Sequence, residues 1–519
     1  MAQSATSLLT DASVVPRGRA AFEMRFSPTR WDAVFGTGVK GSSTQNAGWS
    51  FSAESLGTQA LPQLAPAESA IRTLINAPDF QITAGKLVSI VDSRVLTVPV
   101  IVQYGLTSRL TLGVMVPLVE TRSVVDVRLN PHPGFANVGP NPGLANAQQR
   151  ASTLVNSLRD AATQLKDKLT GCDASPGDPG CATLLAQRAD VQSLIQSGNA
   201  FANAVEQLYG SDADHPGQPF VPLTGGLLQR AIDFQIARLA DRFQNFLGSS
   251  IVAGGVTGAS NPAAFGELQG LLTSAGRDTI ALVDRSSIGD ISIGATYQLV
   301  NSFSDSASRA GYRVAINGTF RLGTGEPANR NRLFDIGTGY GQNGVEVGAA
   351  ADIQFGRRLS GTALASYTVQ LGTIDVARVP TTGNAALPLT SPTPGTYSAG
   401  NVLLASIKPR VHIAGFLSIN GQYTLTHIAA DRYTLGPAVT DSSGNVISVA
   451  PAPPFGIAAA TTHQVGFGFS YSTISTGDAR PIRLPFELSF SHLETIAASG
   501  GPIPKAFRDQ VALRIYFGP

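Results

Sequence analysis

Residues 103–118 read QYGLTSRLTLGVMVPL, and their pattern decides the fold. From Leu110 to Leu118 every second residue is a leucine or a valine, so these apolar side chains share one face of an extended chain. The residues between them, from Thr111 to Pro117, fall on the opposite face. Strict alternation of this kind is typical of a β-strand. The architecture therefore depends on which solvent the unbroken apolar face contacts.

The composition indicates a surface that is not wholly exposed to water. Charged residues make up 14% of the 519-residue chain, against about 25% in ordinary soluble proteins. The 37 basic and 35 acidic residues are spread along the chain and leave a formal net charge of +2, so no basic face is available for a phosphate backbone. Nucleic acid is therefore not predicted as a partner.

The chain has no apolar run near the roughly 18 to 20 residues that a membrane-spanning helix needs, which excludes a helical membrane protein. Its first ten residues, MAQSATSLLT, lack the charged and apolar regions of a signal peptide. The residues AQSA after Met1 resemble what remains after cleavage at an A-x-A site. We therefore expect that a leader peptide has been removed or replaced.

The two cysteines, Cys172 and Cys181, lie in the short loop GCDASPGDPGC. Closure of a short loop rich in proline and glycine suits a disulfide bond and an oxidising compartment. Two cysteines without nearby histidines do not match the ligand set of a zinc site. The sequence predicts a disulfide here, and it predicts no metal site and no cofactor.

The alternation of the opening stretch recurs in DISIGATYQL (290–299), YRVAINGTFRL (312–322), VEVGAAADIQF (345–355) and IRLPFELSF (482–490). A soluble β-sandwich also alternates, but its strands have about five or six residues and its surface carries more charge. A transmembrane β-barrel has strands of about ten residues that expose alternate side chains to lipid and the others to a polar lumen. The sequence therefore predicts an all-β transmembrane barrel whose apolar face contacts lipid.

The last strand and the strand count place the barrel in a bacterial outer membrane. The segment FRDQVALRIYFGP ends near an aromatic residue, which resembles the assembly signal of outer-membrane barrels. Because both termini of such a barrel normally lie in the periplasm, the strand number is even. We predict about fourteen antiparallel strands, with twelve or sixteen left open, near 20–27, 47–55, 80–90, 94–104, 109–127, 286–299, 310–322, 343–355, 358–378, 401–414, 417–432, 462–474, 480–495 and 506–517. The alternation is poorest in 80–90.

Between about residues 141 and 284 the apolar spacing becomes helical, as in Leu154, Leu158 and Leu165. Strand parity places this region on the cell exterior. The predicted organisation is an N-terminal segment at 1–19, a first barrel part at 20–130, a helical extracellular insertion with the disulfide loop at 131–285, and a second barrel part at 286–519.

Several motifs resemble one family of outer-membrane barrels. They are the turn Tyr104-Gly105-Leu106-Thr107, Pro117 after an apolar strand, Gly289-Asp290 at the start of a strand, and the loops FRLGTGEP and FDIGTGYGQNG. The family is the one assigned to transport in the MetA pathway of phenol degradation, and it is loosely similar to fatty-acid and aromatic-hydrocarbon uptake channels. The resemblance implies passive uptake of small hydrophobic or aromatic molecules, although the large helical insertion departs from the family pattern.

Charged residues on the polar faces of the predicted strands are the candidate site. The set comprises Glu23, Arg25, Arg313, Arg321, Glu346, Asp352, Lys408, Arg410, Arg483, Glu487 and Arg514. Rings of charge set selectivity in a pore, whereas interleaved charges of both signs can pair across the lumen and brace the barrel. Residues 1–19 are mostly small and polar, so this segment either enters the lumen as a plug or remains a disordered terminus.

Three functional classes are open at this point. The first is a channel for small hydrophobic molecules, in contact with outer-membrane lipid. The second is a structural or adhesive barrel whose helical insertion binds an extracellular protein partner. The third, an outer-membrane hydrolase, needs a histidine beside a serine or aspartate, and no G-x-S-x-G motif accompanies His412, His427, His463 or His492. We therefore predict that the protein is not an enzyme.

Overall fold

Most of the chain is described by a computed structural model. The described residues are 7–36, 43–59, 61–132, 134–274, 278–303, 310–329, 331–332, 334–356, 358–380, 390–435, 459–473, 485–500 and 503–518. Arg483, one of the candidate lumen residues, lies outside them.

Twelve antiparallel strands form a closed barrel, because the first strand pairs with the last. In chain order they are β1 Ala20–Trp31, β2 Leu87–Gly105, β3 Leu110–Leu129, β4 Ile291–Asn301, β5 Gly311–Leu322, β6 Gly344–Phe355, β7 Leu359–Gln370, β8 Val402–Ala414, β9 Leu417–Ile428, β10 Ala460–Ser472, β11 Phe486–Ser499 and β12 Phe507–Phe517. The segment Val283–Ile288 continues β4 along β3 beyond a break at Gly289 and Asp290.

The two ends of the barrel differ in the length of their connections. At one end, called the turn end here, residues 106–109, 302–310, 356–358, 415–416 and 473–485 join neighbouring strands. At the other end, called the loop end, residues 32–86, 130–282, 323–343, 371–401, 429–459 and 500–506 join them, and all but the last are longer than any connection at the turn end. Shorter strands lie in or beside these loops, at Ala33–Phe35, Thr44–Asn46, Val138–Pro140, Phe220–Pro222, Thr373–Pro380, Thr390–Ser398, Arg432–Leu435 and Ile503–Pro504.

The barrel has twelve strands, a number that the sequence left open, rather than the fourteen predicted, and the difference lies between residues 36 and 105. Residues 47–55 contain a turn of 3-10 helix at Trp49–Phe51 instead of a strand. The two strands predicted at 80–90 and 94–104 are one strand, β2. Several bounds also differ: for example, β1 extends to Trp31 rather than ending at 27, β7 ends at Gln370 rather than at 378, and β11 extends to Ser499 rather than ending at 495. Because two strands are lost together, the number stays even.

The outward face of the barrel is apolar. In the opening stretch Leu112, Val114 and Leu118 are each more than 40% exposed, whereas Thr111 and Met115 are at most 3% exposed. Since the uniformly apolar face of the strand is the exposed one, the barrel is inverted relative to a water-soluble protein. Within the described residues, no helix has the length and apolarity to cross a membrane.

The helices belong to the loop end. They are α1 Ala65–Ile75, α2 Pro142–Ala145, α3 Ser152–Ala174, α4 Cys181–Ala186, α5 Arg188–Tyr209, α6 Leu227–Leu247 and α7 Phe265–Ser274. One apolar core joins most of them, with Ile71, Leu158 and Val205 fully buried. Helix α1 comes from the loop between β1 and β2 and lies in the gap between the strands that were predicted at 47–55 and 80–90. The helical region is therefore built from two loops, 32–86 and 130–282.

Candidate functional site

The N-terminal segment, defined as the described residues 7–19, lies inside the barrel. Its backbone is bonded to side chains of the wall: Ala12 N donates to Asp352 Oδ2 at 3.0 Å, and Val15 N donates to Thr111 Oγ1 at 2.8 Å. The side chain of Gln298 donates to the carbonyl oxygen of Ala12 at 2.8 Å. Three different strands, β3, β4 and β6, thus hold this segment in an ordered path.

Apolar and polar side chains of the same segment are also matched to the wall. Leu9 and Ala12 pack against Ala315 and Ala350 of β5 and β6. Further along, Ser7 Oγ donates to Glu346 Oε1 at 2.6 Å. Because Ser7 lies nearest to the loop end and Gly18 bonds to Gly105 at the turn end, the segment enters from the turn end.

Several of the candidate charges are paired with one another. Glu23 forms ion pairs with Arg25 and, at 2.6 Å, with Arg514. Arg313 Nε lies 2.6 Å from Asp352 Oδ2, the same oxygen that accepts from Ala12. Buried charges that are paired in this way hold neighbouring strands together and fix the geometry of the wall. This part of the set is suited to bracing.

Two cavities flank the N-terminal segment. The larger, of about 410 Å³, extends toward the loop end and has a wall of mainly serine, threonine, glutamine and charged side chains. The smaller, of about 230 Å³, lies toward the turn end beside Arg19 and Tyr516. Leu9, Thr10 and Asp11 line both cavities. The segment therefore separates two halves of the lumen.

The larger cavity collects most of the candidate residues. It is lined by Glu23, Arg25, Arg321, Glu346, Lys408, Arg410, Glu487 and Arg514. Arg313 and Asp352 pair with each other beside the N-terminal segment. The structure thus brings the described candidates together in one lumen.

Three cations on this wall differ from the paired charges. Lys408 and Arg410 of β8 and Arg508 of β12 line the larger cavity. Among the residues that the structure describes, no ion pair or hydrogen bond is formed by any of these three side chains. Cations without a protein partner can contact a polar or anionic group of a molecule in the cavity.

The loop at 323–343 folds over the lumen through Asp290, which lies at the break in β4. Asp290 is buried, and its carboxylate accepts from Gly325 N at 2.9 Å and from Tyr340 N at 2.8 Å. The guanidinium carbon of Arg321 lies 4.8 Å from the ring centroid of Tyr340. A Cβ on Gly339 would lie 2.6 Å from Asp290 Oδ1, so the close approach requires glycine. Tyr340 and Arg321 are thereby fixed at the mouth of the larger cavity.

Sequence reasoning did not select Asp11, Asp290, Tyr340 or Arg508 for the lumen. Arg508 could have been found, because it shares the polar face of β12 with Arg514. Asp290 could also have been found, because alternation in DISIGATYQL places it on the polar face with Ser292, whereas Asp11 and Tyr340 depend on terminus and loop positions that alternation does not encode.

The helical region contains the disulfide, and the predicted pairing of Cys172 with Cys181 is confirmed. Elsewhere in the region Arg159 of α3 binds Glu206 of α5, with 2.7 Å between Nη2 and Oε2. These hydrogen bonds lower the pKa of Glu206 below its ordinary value. A possible metal site is formed by Glu206, Asp212 and His215, whose ligand atoms all lie within 4.8 Å of one another. However, Arg159 already binds the Glu206 carboxylate.

The histidines form simple pairs. His412 Nε2 lies 2.9 Å from Ser360 Oγ on the lumen side of the turn end. His492 lies 2.7 Å from Asp509, and His463 lies 2.7 Å from the hydroxyl of Tyr423. Nucleophilic catalysis needs a nucleophile, a base and a group that orients the base. In the described part of the chain no carboxylate contacts His412. Ser360 and His412 therefore match the nucleophile and the base of such a set, without the group that orients the base.

Comparisons with known proteins give fold-level similarity at low identity. No family model and no curated protein matches the chain. Among solved structures, the COG4313 outer membrane channel from Pseudomonas putida F1 is 10% identical with a TM-score of 0.41, covering 98% of both chains. The Pseudomonas putida toluene transporter TodX is 11% identical with a TM-score of 0.23, covering 97% of this chain and 89% of its own. The translocator domain of the autotransporter NalP from Neisseria meningitidis is 6% identical with a TM-score of 0.31, covering 98% and 90%. Similarities at this level assign no function, which must follow from the side chains described above.

Proposed function

We propose that the protein is an outer-membrane channel for the passive passage of small hydrophobic or aromatic compounds. One observation carries this proposal: a closed barrel with an apolar outward face encloses a polar cavity of about 410 Å³. A closed barrel of this kind satisfies its backbone internally, as a membrane requires. The cavity is comparable in size to pockets that hold small molecules.

The proposed orientation rests on the difference between the two ends of the barrel. The turn end, with the short connections and both ends of the barrel sheet, is proposed to face the periplasm. The loop end, with the helical region, is then extracellular. In this orientation Tyr340, Arg321 and Asp290 lie near the outer mouth, and the N-terminal segment enters from the periplasmic side.

The wall of the cavity restricts the compounds that fit. It is lined by hydroxyl, amide and charged groups, so an entirely apolar molecule would have to remove water from them without replacing their hydrogen bonds. Among the described residues, the side chains of Lys408, Arg410 and Arg508 form no ion pair or hydrogen bond. We propose that the preferred compounds combine a small apolar or aromatic body with a hydroxyl or carboxylate group.

The N-terminal segment is proposed to be a plug that limits passage. It separates the two cavities and is held by hydrogen bonds to Asp352, Thr111 and Gln298. A molecule that crosses the lumen must pass beside the segment or displace it. Slow flux with little steady ion conductance is therefore expected from the intact protein.

Flux measurements in liposomes test the proposal. Passage of benzoate and of benzyl alcohol is measured for the intact protein, for a variant lacking residues 1–15, and for a Lys408→Gln, Arg410→Gln, Arg508→Gln variant. The deletion should raise both fluxes, and the triple substitution should lower that of benzoate more. Arg128→Gln, outside the lumen, is the matched control. Absence of flux through both the intact and the deleted protein would contradict the channel.

A second function is favoured by the helical region. Its core includes fully buried Ile71, Leu158 and Val205 from three helices, which is more structure than a loop over a pore requires. The alternative is therefore a surface barrel that presents this region to an extracellular protein. Because α1 belongs to the same core, a deletion of 141–284 alone would expose apolar surface. The informative variant also shortens the loop at 54–84, and it should leave flux intact if the region serves only to bind.

A further inference from the structure

Three arginines form a row on the outside of the barrel. Arg30 of β1 is the register partner of Arg94 of β2, and Arg94 is the partner of Arg122 of β3. All three are exposed, and they share the outward face with Met24 and Leu118. Directly opposite residues on neighbouring strands have Cβ atoms about 5 Å apart. These three residues are called the arginine row.

The acidic residues Asp32, Asp92, Glu120 and Asp284 share the outward face with the arginine row, but none of these described residues is within ion-pair distance of it. Asp284 is the register partner of Arg122 on the segment that continues β4. In the part of the chain that the structure describes, however, neither Asp284 nor any other carboxylate forms an ion pair with the row. On the same face of β3, Arg128 does pair with Asp126, at 2.6 Å. Like charges directly opposite each other are destabilising, and paired hydrogen bonds to an anion from outside the chain would relieve this repulsion.

The position of the row along the barrel axis indicates what kind of anion would bind it. Along β3 the outward residues nearer the turn end are apolar, from Leu112 to Leu118, and the first charged one is Glu120. Arg122 follows directly, at the loop-end edge of the apolar belt. In a membrane this is where acyl chains give way to headgroups. Guanidinium groups bind phosphate oxygens through paired hydrogen bonds.

We propose that the arginine row binds the phosphate groups of a membrane lipid in the leaflet at the loop end. The inference rests on the membrane location proposed above and goes beyond transport, because the row faces away from the lumen. With the loop end outside the cell, the lipid is the phosphorylated glycolipid of the outer leaflet. Its acyl chains lie against the apolar belt while its phosphates contact Arg30, Arg94 and Arg122.

Binding of lipid A to the folded protein in detergent micelles tests the site. Diphosphorylated lipid A is compared with its phosphate-free form by titration and native mass spectrometry. Each arginine near an anionic surface contributes a factor of about five, so the combined Arg30→Gln, Arg94→Gln, Arg122→Gln variant should bind about 100-fold more weakly. The matched control, Arg128→Gln, removes a charge from the same face of β3 and should bind like the unaltered protein.

The possible results separate this site from the membrane proposal. Equal affinity for the two forms of lipid A, or unchanged affinity in the triple variant, would overturn the site. Complete displacement of lipid A by millimolar inorganic phosphate would also overturn it, since a free-anion site would then explain the row. If the triple variant does not fold, Arg94→Gln alone should still weaken binding about fivefold. Failure of the unaltered protein to enter neutral phosphatidylcholine liposomes would instead contradict the membrane location.

Discussion

The barrel and the helical region solve opposite packing problems within one chain. In the helical region Leu158, Val205 and Ile71 are fully buried in an apolar core, and charged residues such as Arg159 lie at its surface. In the barrel, Val114 and Leu118 point outward, and charged residues such as Asp352 are buried inside. The first arrangement fits water as the surrounding solvent, and the second fits lipid. Each region should therefore respond differently to the same kind of substitution.

The largest effect is expected from a cavity in the helical core. Leu158 of α3 is 0% exposed, so Leu158→Ala should lower the free energy of unfolding of the helical region by about 2–5 kcal/mol. Helix melting followed by circular dichroism measures this change. Gln164→Ala, at an exposed position of the same helix, should change stability by less than about 0.5 kcal/mol. Mobility of the barrel on unheated gels should stay the same, and a parallel loss would show that the two regions unfold together.

The second-largest loss of stability is expected from a charge placed on the outward face of the barrel. Val114 faces outward near the middle of the apolar belt and is 41% exposed. Val114→Arg should destabilise the barrel in a membrane by about 2–4 kcal/mol, because the guanidinium would have to enter hydrocarbon. Gln422→Arg places the same charge on the lumen side and should be tolerated. Refolding into liposomes across a denaturant series measures both, and equal costs would contradict the assignment of the two faces.

Alternation predicted the faces of the barrel well because a strand repeats every two residues and the pattern is local. It assigned Leu112, Val114 and Leu118 to one face and Thr111 to the other, as the structure has them. It failed between residues 36 and 105, where a helix with the spacing of Ile71 and Leu74 was taken for a gap between two strands. This helix is stabilised by packing against α5 in a shared core, and such long-range packing leaves only a weak signal in the local sequence.

The lumen was predictable only in part, for the same reason. Parity along each strand placed Glu23, Arg313 and Arg514 inside, but it carried no information on which of them would pair. The path of the N-terminal segment depends on Ala12 and Asp352, which are 340 residues apart in the chain. Contacts of this separation follow from barrel closure rather than from a sequence period. The role of the lumen charges in selectivity therefore remains a prediction for the flux experiments.

The smallest effect concerns the surface ion pair between α3 and α5. Hydrogen bonds from Arg159 lower the pKa of Glu206 below its ordinary value of 4.5. A carboxylate whose pKa is lowered by folding adds stability that is complete above 4.5 and is lost as the pH falls through the lowered value. The helical region should therefore melt at a lower temperature in acid, and Glu206→Gln should remove part of this dependence by lowering stability slightly at pH 7, because ion pairs near a protein surface contribute little. Melting followed by circular dichroism from pH 7 to pH 3 measures how steeply the melting temperature falls with pH, with Asp160→Asn on the exposed side of α3 as the control.

An unchanged pH dependence of the melting temperature in Glu206→Gln would show that other carboxylates carry the acid sensitivity. A pH dependence that vanished together with the gel mobility of the barrel would instead place the acid-sensitive contacts between the two regions.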